Sequence, residues 1–266
     1  MPARGRRSGG AGLLRFASLG SGSRGNAALV ETGRTRVLID CGFPLAETER
    51  RLARLDRHPS QLSAVLVTHE HADHVAGVAP LARRYRLPVW LTGGTLAAWD
   101  PGDLPGVRVF SPHEPFALDD LLVQPFPVPH DAREPCQFVL GEGTVRLGVI
   151  SDAGTVTPHI RRILKGCDAL MAECNHDPGM LARGPYPPSL KARVGGRWGH
   201  LNNGQAADLA AAVAHPRLQH LVVGHISERN NTPALARDAV AAALGCDAGW
   251  VGVADQETGA GWREVC

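Results

Sequence analysis

The chain has 266 residues, 44% of them hydrophobic, and a formal net charge of +2, so it can bury a core of its own while its bulk charge makes no case for a polyanionic partner. None of its six cysteines forms a Cys-x-x-Cys pair, which argues against a cysteine-built zinc site and suits free thiols in a reducing cytoplasm. No signal-like apolar region and no apolar stretch of about 18 residues is visible, so the expectation is a soluble, cytoplasmic protein that stays off the membrane.

Residues 1–12 carry Arg4, Arg6 and Arg7 among glycines and read as a disordered basic tail, leaving 13–266 as one domain. Three strand-like runs follow at Leu13–Leu19, Ala27–Thr32 and Arg36–Asp40. The loop between the first two, Gly20-Ser21-Gly22-Ser23-Arg24-Gly25-Asn26, matches Gly-x-Gly-x-x-Gly, but a strand follows where a dinucleotide site needs a helix. The turn is therefore either a phosphate cradle, with Ser23 and Arg24 beside free N–H groups, or a plain tight turn. Asp40 closes its strand, where a buried carboxylate demands a cation or a histidine partner.

Leu45–Leu55 has the spacing of an amphipathic helix. The short apolar strand Ala64–Val67 then releases Thr68-His69-Glu70-His71-Ala72-Asp73-His74, with three imidazoles and the Asp73 carboxylate, besides Glu70, within six residues. His69 and His71 alternate to one side, and Asp73 with His74 can face a second ion. A helix is expected at Val75–Arg84 and another at Thr95–Trp99. Strands are expected at Pro88–Leu91, Val107–Phe110, Leu121–Val128, Cys136–Gly141 and Val145–Ile150. Beyond them strands and helices alternate: helix Pro158–Leu164, strand Ala169–Ala172, helix Gln205–Val213, strand His220–Val223, helix Pro233–Leu244 and a closing strand at Val251–Ala254. Three more ligand-type residues, His130, Asp152 and His225, stand just past the ends of apolar strands, as Asp40 and His69 do.

His69-x-His71-x-Asp73-His74, then His130, Asp152 and His225, with Asp40 ahead of them, resemble the five motifs of the metallo-β-lactamase superfold. The resemblance implies an α/β fold, the four-layer αββα sandwich, with two divalent metal ions, Zn²⁺ or Mn²⁺, at one edge. It assigns His69, His71 and His130 to the first ion and Asp73, His74 and His225 to the second. Asp152 would bridge them, and Asp40 would support a histidine ligand or the bridging water. Asp73 and Asp40 are thereby implicated in catalysis as well as structure.

A narrower resemblance runs through Ser18–Asn26, Glu173-Cys174-Asn175-His176-Asp177, Gly184–Pro187, Leu190-Lys191, Gly199-His200-Leu201-Asn202-Asn203 and Gly224–Ser227 with Asn230 and Asn231. These stretches are similar to the YycJ/WalJ-type bacterial metallohydrolases, regarded as 5′-to-3′ DNA exonucleases. The chain departs from that group in having Asn202 and Cys174 where Ser is common, and in its Arg-rich start.

Two cations sharing a hydroxide suit hydrolysis of a phosphodiester, whose charge they neutralise, with no organic cofactor. His200 is the first candidate proton donor to the leaving oxygen and His176 the second, with Glu173 orienting one of them. Substrate contacts, to a DNA 5′ end, are expected from Ser21, Ser23, Arg24, Asn26, Asn175, Lys191 and Asn202 on short loops, with Arg183, Arg193 and Arg197 nearby. A small thioester or cyclic phosphodiester is the competing substrate class, and a binding module without turnover the competing role.

Overall fold

Runs of Leu, Val and Ile in this chain are buried on both faces, because each sheet has a helical layer on one side and the other sheet on its second side. A computed structural model describes residues 14–266, so the basic tail expected at 1–12 lies outside the described residues. The first sheet contains β1 (Leu14–Gly20), β2 (Ala27–Glu31), β3 (Arg36–Ile39), β4 (Ala64–Leu66), β5 (Val89–Thr92) and β6 (Val107–Phe110). The second contains β7 (Phe116–Leu118), β8 (Leu121–Pro127), β9 (Cys136–Gly141), β10 (Arg146–Ile150), β11 (Ala169–Glu173), β12 (His220–Gly224) and β13 (Gly252–Val253). The last strand, β14 (Ala260–Val265), returns to the first sheet and pairs antiparallel with β1.

The two sheets repeat one plan. Antiparallel pairing joins β1, β2 and β3, and then β3 to β6 run parallel. Likewise β7 to β10 are antiparallel neighbours, and then β10 to β13 run parallel. Parallel strands bring their C-terminal ends to one edge, so the loops after β3, β4, β10, β11 and β12 converge there.

Helices α1 (Leu45–Ala53), α2 (Ala72–Val75), α3 (Val78–Tyr85) and α4 (Gly93–Ala98) belong to the first half. The second half carries α5 (Pro158–Leu164), α6 (Pro178–Arg183), α7 (Pro188–Val194), α8 (Asn203–Val213) and α9 (Pro233–Leu244). Alternation decides which core each strand residue joins. Val37, Ile39, Ala64 and Leu66 face the inter-sheet core with Phe138, Leu140 and Leu147, whereas Leu38 and Val65 pack under α1 and α3 against Leu52, Val78 and Leu81. The second helical layer, with Ile160, Leu209 and Val240, covers Leu170 and Val223. This is the expected αββα sandwich. Among the described residues no helix is long and apolar enough to cross a membrane.

Several local features differ from expectation, among them the unforeseen strand β7. The helix expected at Val75–Arg84 is two helices broken at Ala76–Gly77, where Gly77 N–H donates to Cys41 O (2.7 Å) and a Cβ would stand 1.9 Å from Phe43 O. The stretch Asn175–Arg193, expected to be loop, holds α6 and α7, each started by a proline (Pro178, Pro188) whose missing N–H costs nothing at a first turn. The closing strand lies at Ala260–Val265, with only Gly252–Val253 adding to the second sheet.

Candidate metal centre

The loop after β4 delivers His69 and His71, and α2 carries Asp73 and His74. His130 follows β8, Asp152 follows β10, Glu173 ends β11, and Asp40 and His225 directly follow β3 and β12. Three of these residues sit at positive φ, Asp40 (59°), Asp152 (52°) and His225 (50°), a region that side chains other than glycine rarely adopt. The chain thus turns sharply at three strand ends, and aims each side chain into one cluster; strained backbone of this kind gathers at functional sites.

His71 Nδ1 lies 3.1 Å from His69 Nε2 and 3.2 Å from His130 Nε2. Three nitrogens on a tetrahedral shell of about 2.0–2.1 Å radius stand about 3.3 Å apart, so this donor set fits one divalent cation. A second set comprises Asp73, His74 and His225, with Asp73 Oδ2 3.5 Å from His74 Nε2 and 3.7 Å from His225 Nε2. Asp152 lies between the sets. Its Oδ1 is 3.7 Å from His130 Nε2, and its Oδ2 is 3.2 Å from His74 Nε2. Every ligand atom in each of these sets is within 4.8 Å of the others in its set, and most of the side chains are buried.

Hydrogen bonds at the far ring nitrogens choose which nitrogen points inward. His130 Nδ1–H donates to Gly199 O (3.0 Å) and His74 Nδ1–H to Asp40 Oδ2 (2.8 Å), leaving each Nε2 to face the cluster. His69 Nδ1–H donates to Thr68 Oγ1 (2.9 Å), whose hydroxyl donates to Asp40 Oδ2 (2.8 Å). Asp40 also accepts the Thr68 backbone N–H (2.8 Å), so one carboxylate steadies ligands of both sets. His225 Nδ1 lies 3.0 Å from Ser151 Oγ and 3.3 Å from Glu173 Oε1.

The ionisation states follow from this crowding. Burial opposes the charge of Asp152, but the His225 and His74 imidazoles outweigh it and hold the carboxyl well below its usual range. Burial also opposes charge on His74 and His225; Asp152 overrides it and pushes both well above the ordinary imidazole value. His69, buried and beside His74, is pushed well below it, and burial lowers His130. Without cations the protein thus neutralises its carboxylates with protons on His74 and His225, the protons that cations would replace.

Beside the centre opens a cleft of about 350 Å³, lined in part by His71, Asp73, His130, Tyr186, Arg193 and His200. His200 Nδ1–H donates to Glu173 Oε1 (2.7 Å), which leaves Nε2 as its free ring atom. Burial opposes the Glu173 charge, and His200 outweighs it, lowering the carboxyl to about 2.

The other singled-out residues are placed differently. His176 is buried, 2% exposed, bridged to Asn202 and outside the cleft lining, with Nδ1 lacking any partner among the described residues. Asn202 is the N-cap of α8, accepting Gln205 N–H (2.9 Å). Ser21 Oγ accepts His225 N–H (2.8 Å), and Asn26 accepts Gly22 N–H (2.9 Å) and lies against Asp73. Arg24 N–H donates to Gln256 Oε1 (2.8 Å) while its guanidinium pairs with Glu228 and Glu257. The Gly20–Asn26 loop is therefore a tight turn in which the N–H groups of Gly20, Ser21, Gly22, Arg24, Gly25 and Asn26 are engaged within the protein. Ser23 and Asn175 line the cleft, and Lys191 Nζ donates to Ala182 O (2.7 Å). The relay through Thr68, the contact of Ser151 with His225 and the Asp131–Arg193 ion pair (2.5 Å) had no signal in sequence spacing.

The Beta-lactamase superfamily domain family matches residues 35–226. The chain is 36% identical to Exodeoxyribonuclease YycJ of Bacillus anthracis over 235 residues, 87% of this chain and 89% of that protein. It is 30% identical to Exodeoxyribonuclease WalJ of Streptococcus pneumoniae over 229 residues, 84% of this chain and 85% of that one. In fold it is similar to the metallo-β-lactamase fold protein YhfI from Bacillus subtilis, with a TM-score of 0.74, 16% identity, and coverage of 95% of this chain and 99% of that chain. Zn²⁺-bound PqqB from Methylobacterium extorquens is similar too, with a TM-score of 0.69, 19% identity, and coverage of 94% and 99%.

Proposed function

The chain belongs to the metallo-β-lactamase superfamily and to its YycJ/WalJ-type exodeoxyribonuclease branch, and from that membership we propose that it is a dinuclear metal-dependent nuclease degrading DNA from a 5′ end. The observation that carries the reading is Asp152, with one oxygen 3.7 Å from His130 Nε2 and the other 3.2 Å from His74 Nε2, between two ligand sets that open on one cleft. His69, His71 and His130 would hold one divalent ion, Asp73, His74 and His225 a second, and Asp152 both; the mixed imidazole and carboxylate set accepts Zn²⁺ or Mn²⁺. Such ions supply Lewis-acid stabilisation of phosphoryl charge and a water acidified toward neutral pH.

The protein's own residues do the rest. Asp40, through His74 and Thr68, orients the ligands before any substrate arrives. His200, held by Glu173 and lining the cleft, delivers a proton from Nε2 to the departing oxygen. His176 is buried outside the cleft lining and is joined to Asn202 through a backbone bridge. Arg193, on the cleft wall, meets the phosphate backbone and gives affinity without reading sequence.

The test is a substrate panel. Purified protein loaded with Mn²⁺ or Zn²⁺ is offered 5′-phosphorylated DNA, RNA, a cyclic nucleotide ester and a glutathione thioester, with Asp73→Ala as control. Release of mononucleotides from the DNA 5′ end is expected, and is lost in the control. Cleavage of only the small esters, or of nothing at any metal load, refutes the nuclease reading.

A further inference from the structure

Trp198 is 62% exposed, more than any other large hydrophobic side chain among the described residues. It lines an open cleft of about 450 Å³ with Pro127, Val128, Pro129, His113 and His159. The cleft is mainly apolar, with His113 and His159, whose Nδ1 accepts from Arg162 (3.0 Å), among its lining, and Arg197 directly precedes Trp198 in the chain. Among the described residues no hydrogen bond or ion pair engages the exposed Arg197 guanidinium.

This cleft shares a wall with the metal centre. Pro129 precedes the ligand His130, and Trp198 precedes Gly199 and His200, which line the metal cleft. The backbone ties the wall together, since Asp131 N–H donates to Trp198 O (3.0 Å) and His130 Nδ1–H to Gly199 O (3.0 Å). The Trp198 backbone therefore belongs to the same segment whose Gly199 carbonyl orients His130.

A polynucleotide whose scissile phosphate lies at the metal centre must place the neighbouring base beside it. We propose that the cleft of Trp198, Pro129 and Val128 is a nucleobase-stacking subsite, which holds an unpaired base next to the scissile bond while Arg197 meets an adjoining phosphate. This rests on the nuclease reading above and specifies how that site grips its substrate. An indole face stacks on any base, so the subsite confers affinity for single-stranded ends without sequence preference. A flat apolar patch for a protein partner would not need its continuity with the wall of the metal cleft.

The experiment uses the metal-loaded full chain and 5′-phosphorylated single-stranded oligonucleotides, intact or with one abasic nucleotide at the first, second or third position. Trp198→Ala is expected to raise KM for the intact oligonucleotide about tenfold with kcat within about twofold, and Trp198→Phe to restore most of the loss. Hydrolysis of bis(p-nitrophenyl) phosphate, which has no base, should be unchanged in both variants. In the wild-type chain one abasic position should raise KM comparably, and the same position should have no further effect in Trp198→Ala. Normal DNA kinetics in Trp198→Ala, or wild-type KM indifferent to every abasic position, would overturn the subsite while leaving the nuclease reading intact. A wild-type chain that hydrolyses the small diester but no nucleic acid would overturn both.

Discussion

Glu173 accepts the Nδ1–H of His200 at 2.7 Å, and its second oxygen accepts the backbone N–H groups of Ala153 (3.1 Å) and Leu201 (3.0 Å). One buried carboxylate thus fixes the loop after β10, the turn before α8 and the ring of the candidate proton donor. His200→Ala is expected to lower kcat at least tenfold with metal content unchanged. Glu173→Gln keeps the shape and should lower kcat less, because an amide oxygen still accepts from Nδ1 but no longer favours a protonated ring. Near-normal turnover in His200→Ala, measured on DNA at saturating substrate, would sink this role.

Asp40 takes three hydrogen bonds, from His74 Nδ1, Thr68 N and Thr68 Oγ1, all at 2.8 Å. An asparagine there would set an N–H₂ group against a donor and leave His74 poorly oriented. Asp40→Asn is expected to weaken metal binding by about 10–100-fold, read by chelator competition, while far-ultraviolet circular dichroism is retained.

Metal removal should cost stability, because the buried centre then holds its carboxylates against protonated histidines alone. Dialysis against a chelator is expected to lower Tm by several degrees, and restoring Mn²⁺ or Zn²⁺ to recover it. Cations must displace protons from His74 and His225, both of which bind them more tightly than a free imidazole. Apparent metal affinity should therefore fall as pH is lowered, measured by calorimetric titration at several pH values. An affinity independent of pH would contradict this.

Burial pushes the Cys41 and Cys174 thiols up to about 12 and Cys167 to about 11. A raised folded-state value stabilises fully below the unfolded value of about 8.5–9, and that contribution disappears as pH rises toward the folded value. Unfolding free energy should therefore decline above pH 9 by up to about 1.4 kcal/mol per pH unit for each such thiol. At neutral pH a thiol reagent should modify Cys266 fast and Cys246 slowly, while Cys41, Cys136, Cys167 and Cys174 react only after unfolding.

Gly42 lies against the ligand helix, where a Cβ would stand 1.8 Å from Asp73 O and 2.8 Å from Asn26 N. Both are backbone atoms and cannot swing aside. Gly42→Ala is expected to destabilise by about 1–3 kcal/mol and to lower the bound-metal count by displacing Asp73. A folded variant with unchanged metal content would show that the chain accommodates the methyl group.

Strand runs such as Ala64–Val67 and Val145–Ile150 were legible in sequence, because burial on both faces leaves continuous apolar stretches. Short helices in a proline-rich stretch were not, since α6 and α7 have six and seven residues and no long periodic face. Ser21 and Asn26 looked like substrate contacts because they stand on a short glycine-rich loop. The structure instead engages them with His225 and Asp73.

By itself the sequence determined the chemistry available. His69, His71, Asp73, His74, His130, Asp152 and His225 stand just past apolar strands, and covalent spacing carries that pattern without reference to the fold. Tertiary structure alone decided which ring nitrogen faces inward, which carboxylate steadies which imidazole, and that His200 rather than His176 meets Glu173 and the cleft. Most of those choices join residues far apart in the chain, such as Asp40 with His74 and Glu173 with His200, and only the packing of the fold brings such pairs within hydrogen-bond reach.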